Sequence, residues 1–193
     1  MNTMIDVDLA KSTRLLNHGP TVLVSSAHDG RQNVMAAAWA MPLDFDPPKV
    51  LLVIDKATHS RALIEASGEF VLNIPCTAQA AKVLQAGSCS GKDVDKFAAC
   101  GLQAMAGETV QAPHIGGVIA YLECRVISEP HNQQQYDLFI GQVLAARADA
   151  TVWQEGHWQF DGQDDKRSLH YIAGGHFFST GEQFSVSPWQ ARE

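Results

Sequence analysis

The fold class this chain predicts is a β-barrel with short helical excursions. Apolar, β-branched segments of strand length recur from Thr21 to Ala145, and Gly, Asp and Pro break them at short intervals. The helical stretches between them are short and do not alternate regularly with strands, as a doubly wound parallel sheet would require. At 193 residues, with 46% apolar content, one domain can bury a substantial core without disulfides or metals. Residues 1–193 are therefore expected to form a single domain without internal repeats.

The elements follow in order. Thr21-Val-Leu-Val-Ser-Ser-Ala27 is a strand, and Asp29-Gly30 turns it into a second strand running through Asn33, because Gly tolerates the positive φ of a tight hairpin. Pro42 and Asp46-Pro47-Pro48 force an extended, non-helical connection to Lys49-Val-Leu-Leu-Val-Ile54, a short apolar run that suits a buried strand. Thr58 caps a helix to about Ser67 with Gly68 as its stop, and Phe70-Val-Leu-Asn-Ile74 returns to strand. A second short helix spans Thr77 to Gly87. A third begins near Ser90, where Ser-Gly-Lys-Asp93 has capping-box spacing. Val118 to Ile127 and Tyr136 to Ala145 read as long strands paired across a polar turn, and the Gly-, Gln- and Trp-rich stretch from Trp153 to Asp165 as a loop or lid outside the core.

Composition excludes several function classes. Fourteen Lys and Arg against 21 Asp and Glu give a formal charge of −7, which argues against neutralising a phosphate backbone and so against nucleic acid. Apolar runs are interrupted within about ten residues, short of the ~20 that span a bilayer. The first residues lack the basic and apolar regions of a secretory signal, and the four cysteines form no CxxC pair. A soluble protein of the reducing cytoplasm is expected. The eight histidines form no HxH, HExxH or Cys/His quartet, so no metal site is expected. There is no Gly-x-Ser-x-Gly elbow and no Gly-x-Gly-x-x-Gly fingerprint.

Two short segments carry candidate binding chemistry. Thr58-His59-Ser60-Arg61 offers two hydroxyls, an imidazole, a guanidinium and the free amides of a helix start within one turn, which suits a phosphate. The same residues also suit a capped surface helix with a solvated Arg61. Asn33-Val-Met-Ala-Ala-Ala-Trp39 sets three small residues beside an indole, and small side chains let a planar ligand approach backbone amides. Alternatively, the alanines pack under a helix and Trp39 fills the core.

These segments, taken with Asp46-Pro-Pro48, Phe70-Val-Leu-Asn73 and Ser90-Gly-Lys-Asp-Val-Asp-Lys-Phe97, resemble the flavin-reductase-like family. Tyr121-Leu-Glu-Cys124, Leu138-Phe-Ile-Gly-Gln-Val143 and Gly174-Gly-His-Phe-Phe-Ser-Thr-Gly181 extend the likeness over roughly residues 15 to 182. The resemblance implies an FMN-binding split β-barrel, related to flavoredoxin and NAD(P)H:flavin oxidoreductases. It implies FMN held with its phosphate at Thr58, His59, Ser60 and Arg61 and its ring against Asn33, Ala37, Ala38 and Trp39. Asn73 would meet the ribityl or phosphate group, and Ser90, Gly91 and Lys96 would add contacts near the phosphate. No separate catalytic acid–base pair is expected. NADH or NADPH would be a transient donor, with free flavin, ferric iron or another small molecule as acceptor. The alternative is an FMN electron carrier or redox sensor reduced by a protein partner. The resemblance also implies a homodimer whose second chain closes the pocket through Trp153 to Trp158 or Gly174 to Gly181. Lys92 stands where the family commonly has Arg, Gln142 where Glu is frequent, and His131 to Gln135 replaces a short acidic turn, which puts a substrate contact there in doubt.

Overall fold

A computed structural model describes residues 20–186. Strands β1 (Val22–His28) and β2 (Arg31–Ala37) form the expected hairpin in full register, with Asp29 at φ 50° and Gly30 at φ 74° in the turn. Strands β3 (Ala40–Phe45) and β4 (Pro48–Val53) follow, then helix α1 (His59–Ser67) and strand β5 (Glu69–Ile74). A single 3-10 turn (Thr77–Gln79) leads into α2 (Ala80–Ser88), and α3 (Lys96–Ala99) precedes the short strands β6 (Ala104–Met105) and β7 (His114–Ile115). The long strands β8 (Ala120–Ile127) and β9 (Leu138–Ala148) flank helix α4 (Pro130–Tyr136). Two small hairpins end the described chain, β10 (Trp153–Gln154) with β11 (His157–Trp158), and β12 (Leu169–Ala173) with β13 (His176–Ser179).

The main sheet has the order β2-β1-β5-β8-β9-β4-β3, every pair antiparallel. Its two outer strands are consecutive in sequence and separated only by Ala38 and Trp39. Two residues span at most ~7 Å beyond one Cα step, so the sheet must curl until its edges meet. One bent strand, pairing first with β1 and then with β4, closes it as a split barrel, the expected fold class.

Burial on both faces explains the unbroken apolar runs. Val22 and Val24 point into the barrel with Leu52, Ile54, Phe70, Leu72, Cys124 and Phe139, whereas Leu23 and Val34 face outward against Val83, Ala86 and Phe97 of the helices. Gly141 is required by this packing, since a Cβ there would lie 2.5 Å from the Phe70 ring.

Four expectations need correction. Pro42 lies within strand β3, which tolerates it because β3 is an edge strand with a bulge between Pro42 and Asp44. The third helix starts at Lys96, not near Ser90. Asp95 caps it by accepting from the amides of Phe97 and Ala98, and residues 90–94 form turns. The connection between β8 and β9 is helix α4 rather than a polar turn, started by Pro130 in its first turn and ended by Asp137 in the left-handed region. The stretch from Trp153 is anchored rather than loose: Phe160 and Val152 are buried with Cys76 and Ile119, and Trp158 stacks on Phe160.

Candidate functional site

The start of α1 and the loop after α2 converge on strand β2. Thr58 is the N-cap of α1, its hydroxyl accepting from the Arg61 amide at 3.4 Å and donating to the Asp55 carbonyl at 2.8 Å. By helix geometry the amides of His59 and Ser60 have no intrahelical acceptor. The Asn33 carboxamide, on β2, donates to Ser60 Oγ at 2.9 Å, and a Cβ built on Gly91 would overlap that carboxamide. Gly91 therefore lets the 90–91 turn close onto β2. Buried Lys96 reaches the same place and donates to the Ala86 carbonyl at 2.6 Å. Burial pushes the Lys96 ammonium below the ordinary lysine range, opposed by the thiols of Cys89 and Cys100.

These residues line a hollow of about 500 Å³, bounded by Asn33, Thr58, His59, Ser60, Ser90, Gly91 and Lys96. A second hollow of about 180 Å³ abuts it, walled by Ala37, Ala38, Leu84, Tyr171 and Phe177. The two share Ala36, Gly87 and Ser88 as lining. At that throat a Cβ on Gly87 would sit 3.4 Å from the Ala36 Cβ, so the small residues keep α2 close to β2. The result is one cleft along β2, with a polar, amide-rich end at α1 and an apolar, aromatic end at the β12–β13 hairpin. His59 and Gly91 also border a third, open hollow of about 660 Å³ with Arg31 and Lys92 at its rim.

Nine expected residues thus meet in the cleft: Asn33, Ala37, Ala38, Thr58, His59, Ser60, Ser90, Gly91 and Lys96. Three do not. Arg61 is 4% exposed, and its guanidinium is fully committed to the protein: Nε donates to Glu65 at 2.8 Å, Nη1 to Asp137 at 2.5 Å and the Ile54 carbonyl at 3.1 Å, and Nη2 to the Gln133 carbonyl at 2.6 Å. It also lies over the Phe139 ring at 5.1 Å. Asn73 is fully buried in the sheet, where Nδ2 donates to the Leu23 carbonyl and Ser25 Oγ at 3.0 Å and Oδ1 accepts from the Ile115 amide. Trp39 neither fills the core nor lines the cleft; it stands 53% exposed at the barrel seam.

Sequence reasoning missed Gly87, Ser88 and Tyr171, and placed Phe177 only in a pocket-closing segment of a second chain. Gly87 reads as a helix stop, and nothing local announces that the last hairpin folds back onto α2. In the structure Phe177 enters the cleft of its own chain, while Trp153 and Trp158 do not line it.

A cleft with a helix start at one end and a flat wall of small and aromatic residues at the other fits a phosphorylated planar ligand such as FMN. The comparisons with known proteins point the same way. The chain is 42% identical to the Escherichia coli protein YddH, itself uncharacterised, over 96% of this chain and all of that one. Its fold is similar to the FMN-binding domain of a flavin reductases-like enzyme from Shewanella baltica, with 49% identity, a TM-score of 0.85 and coverage of 96% and 98% of the two chains. It is also similar to flavoredoxin of Desulfovibrio vulgaris, with 28% identity, a TM-score of 0.77 and coverage of 87% and 90%. The model of the flavin reductase like domain matches residues 14–164, and the chain belongs to that family.

Proposed function

We propose that this protein is an FMN-dependent oxidoreductase that takes electrons from NADH or NADPH and passes them to free flavin, ferric iron or another small acceptor. The continuous cleft along β2 carries this reading, because its two ends match the phosphate and the ring of one ligand. Thr58, Ser60 and Ser90 supply hydroxyls, the first amides of α1 supply donors, and Lys96 supplies a cation, while Ala36 to Ala38 and Gly87 leave room for a flat ring beside Tyr171 and Phe177. Arg61 acts behind this site by tying α1 to α4 and β9. FMN, when bound, supplies the hydride-accepting and electron-relaying chemistry, and the chain's residues bind, orient and exclude water. We take the working form to be a cytoplasmic homodimer of single-domain chains.

Titration of the apoprotein with FMN, FAD and riboflavin, followed by flavin fluorescence, tests the ligand. Saturable FMN binding at micromolar concentration is expected. FAD is the informative competitor, because the hollow at Arg31 and Lys92 leaves the phosphate end open. Steady-state oxidation of NADH and NADPH by the FMN-loaded protein then tests the reaction. Turnover with free flavin supports the reductase. Reduction only by a protein donor supports the second reading, an electron carrier, which the likeness to flavoredoxin favours.

A further inference from the structure

The ends of α2 and α3 bring two cysteines together beside the cleft. Cys89 follows α2, Cys100 follows α3, and the two thiols lie near enough to act on one another. Two ties fix the helix ends: Gln85 Nε2 donates to the Ala99 carbonyl at 2.8 Å, and Lys96 Nζ to the Ala86 carbonyl at 2.6 Å. The Gln85 carbonyl also accepts from Cys89 Sγ at 3.4 Å, so one residue positions both ends of the pair. Cys89 lines the cleft and is partly exposed, whereas Cys100 is buried. Lys96 and Cys89 line the same hollow, so the accessible thiol of the pair stands in the wall of the cleft.

We propose that Cys89 and Cys100 form a peroxide-reactive dithiol that closes to an intramolecular disulfide in the wall of the cleft. The Cys89 thiolate attacks one oxygen of hydrogen peroxide. An S–O bond forms, the O–O bond breaks, and hydroxide leaves to take up a proton as water. The Cys100 sulfur then attacks the Cys89 sulfenic acid, forming the S–S bond and breaking S–O, and its proton leaves with the departing hydroxide as a second water. Two thiols are oxidised by two electrons and one peroxide is reduced to two waters. Access assigns the roles: Cys89 faces the cleft and reacts first, while Cys100, whose thiol burial pushes up, resolves. The other two cysteines serve as internal controls. Cys76 is buried in the cluster with Ile119 and Phe160, and Cys124 lies in the barrel core, where burial pushes its thiol up to about 12. This chemistry does not depend on which ligand the cleft takes.

The full-length protein is reduced, treated with one equivalent of hydrogen peroxide, alkylated under native conditions and then under denaturing ones, and mapped by mass spectrometry. The expected result is a mass loss of about 2 Da per chain, a peptide cross-linked through Cys89 and Cys100, reversal by dithiothreitol, and alkylation of Cys76 and Cys124 only after denaturation. In Cys100→Ala, oxidation should stop at a Cys89 sulfenic acid that dimedone traps. The wild-type map needs no variant, so the proposal is decided even if Cys100→Ala folds poorly. It is overturned if Cys89 proceeds to sulfinic acid with Cys100 still alkylatable, if Cys89 links instead to another chain, or if neither thiol reacts.

Discussion

Arg61 shows why a cation in the first turn of a helix does not always face the ligand. Successive helix residues are rotated by about 100°, so Thr58, His59 and Ser60 reach the cleft while Arg61 swings behind it to Asp137 and Glu65. Arg61→Ala should therefore cost about 2–4 kcal/mol of stability, measured by urea unfolding, because it leaves the Asp137 carboxylate and two carbonyls without their partner. Any loss of FMN affinity should be matched for riboflavin; a loss confined to FMN would return the guanidinium to the phosphate. Gly91→Ala should act the opposite way. Its Cβ displaces the Asn33 carboxamide from Ser60 and intrudes on the cleft, so FMN affinity should fall about tenfold or more for only ~1 kcal/mol of stability. Equal FMN dissociation constants for variant and wild type would remove the Asn33–Ser60–Gly91 contact from the site. The motifs made nine cleft residues legible because each motif is a short continuous stretch that the fold brings to β2 as a unit. They misplaced Arg61, Asn73 and Trp39 because facing within a motif depends on helix rotation and strand alternation, which spacing alone does not orient against an unknown neighbour.

Elements with an apolar stripe or a Gly-marked turn were legible; elements without one were not. The first hairpin, α1 and β5 follow from Asp29-Gly30, the Thr58 cap and the Gly68 stop. Helix α4 buries none of its residues, so it had no periodic signal, only Pro130 to start it and Asp137 to end it. The 149–166 excursion looks like a loop in composition, yet one carboxylate pins it. Asp149 accepts from Lys166 Nζ at 2.7 Å and from the amide and hydroxyl of Thr151 at 2.9 and 2.8 Å. The Lys166 hydrogen bond, then those of Thr151, hold its carboxyl at about 2, below the ordinary 3.8. A folded-state value below the unfolded one means the contribution is fully present above about pH 4 and is lost as pH falls toward 2. After allowance for its partial exposure this amounts to on the order of 1 kcal/mol. Asp149→Asn should remove it at neutral pH and flatten the acid limb of stability between pH 4 and 2, monitored by Trp fluorescence. Parallel acid limbs for wild type and variant would show that Asp149 does not anchor this segment.

At the scale of the whole molecule, closing the barrel with one bent strand leaves a cost at the seam. Strand β3 has a hydrogen-bonded neighbour on one side only, and around it Trp39, Met41, Leu43 and Phe45 are exposed, Phe45 at 98%. An edge strand carrying large apolar side chains is an association surface unless something covers it. A second copy of this chain is the occupant that the homodimer reading supplies, and a two-fold arrangement would bury the same row from both partners. Each buried large side chain contributes roughly 1.5–3 kcal/mol, so a few from each chain suffice for a dimer at micromolar concentration. Light scattering coupled to size exclusion should then give twice the 20.9 kDa chain mass. The double variant Met41→Lys, Phe45→Glu should be monomeric with an unchanged circular dichroism spectrum, because both side chains already stand in solvent in the single chain. A wild-type protein that stays monomeric at tens of micromolar, with or without FMN, would refute the dimer. A dimer that survives the double variant would place its interface away from the seam.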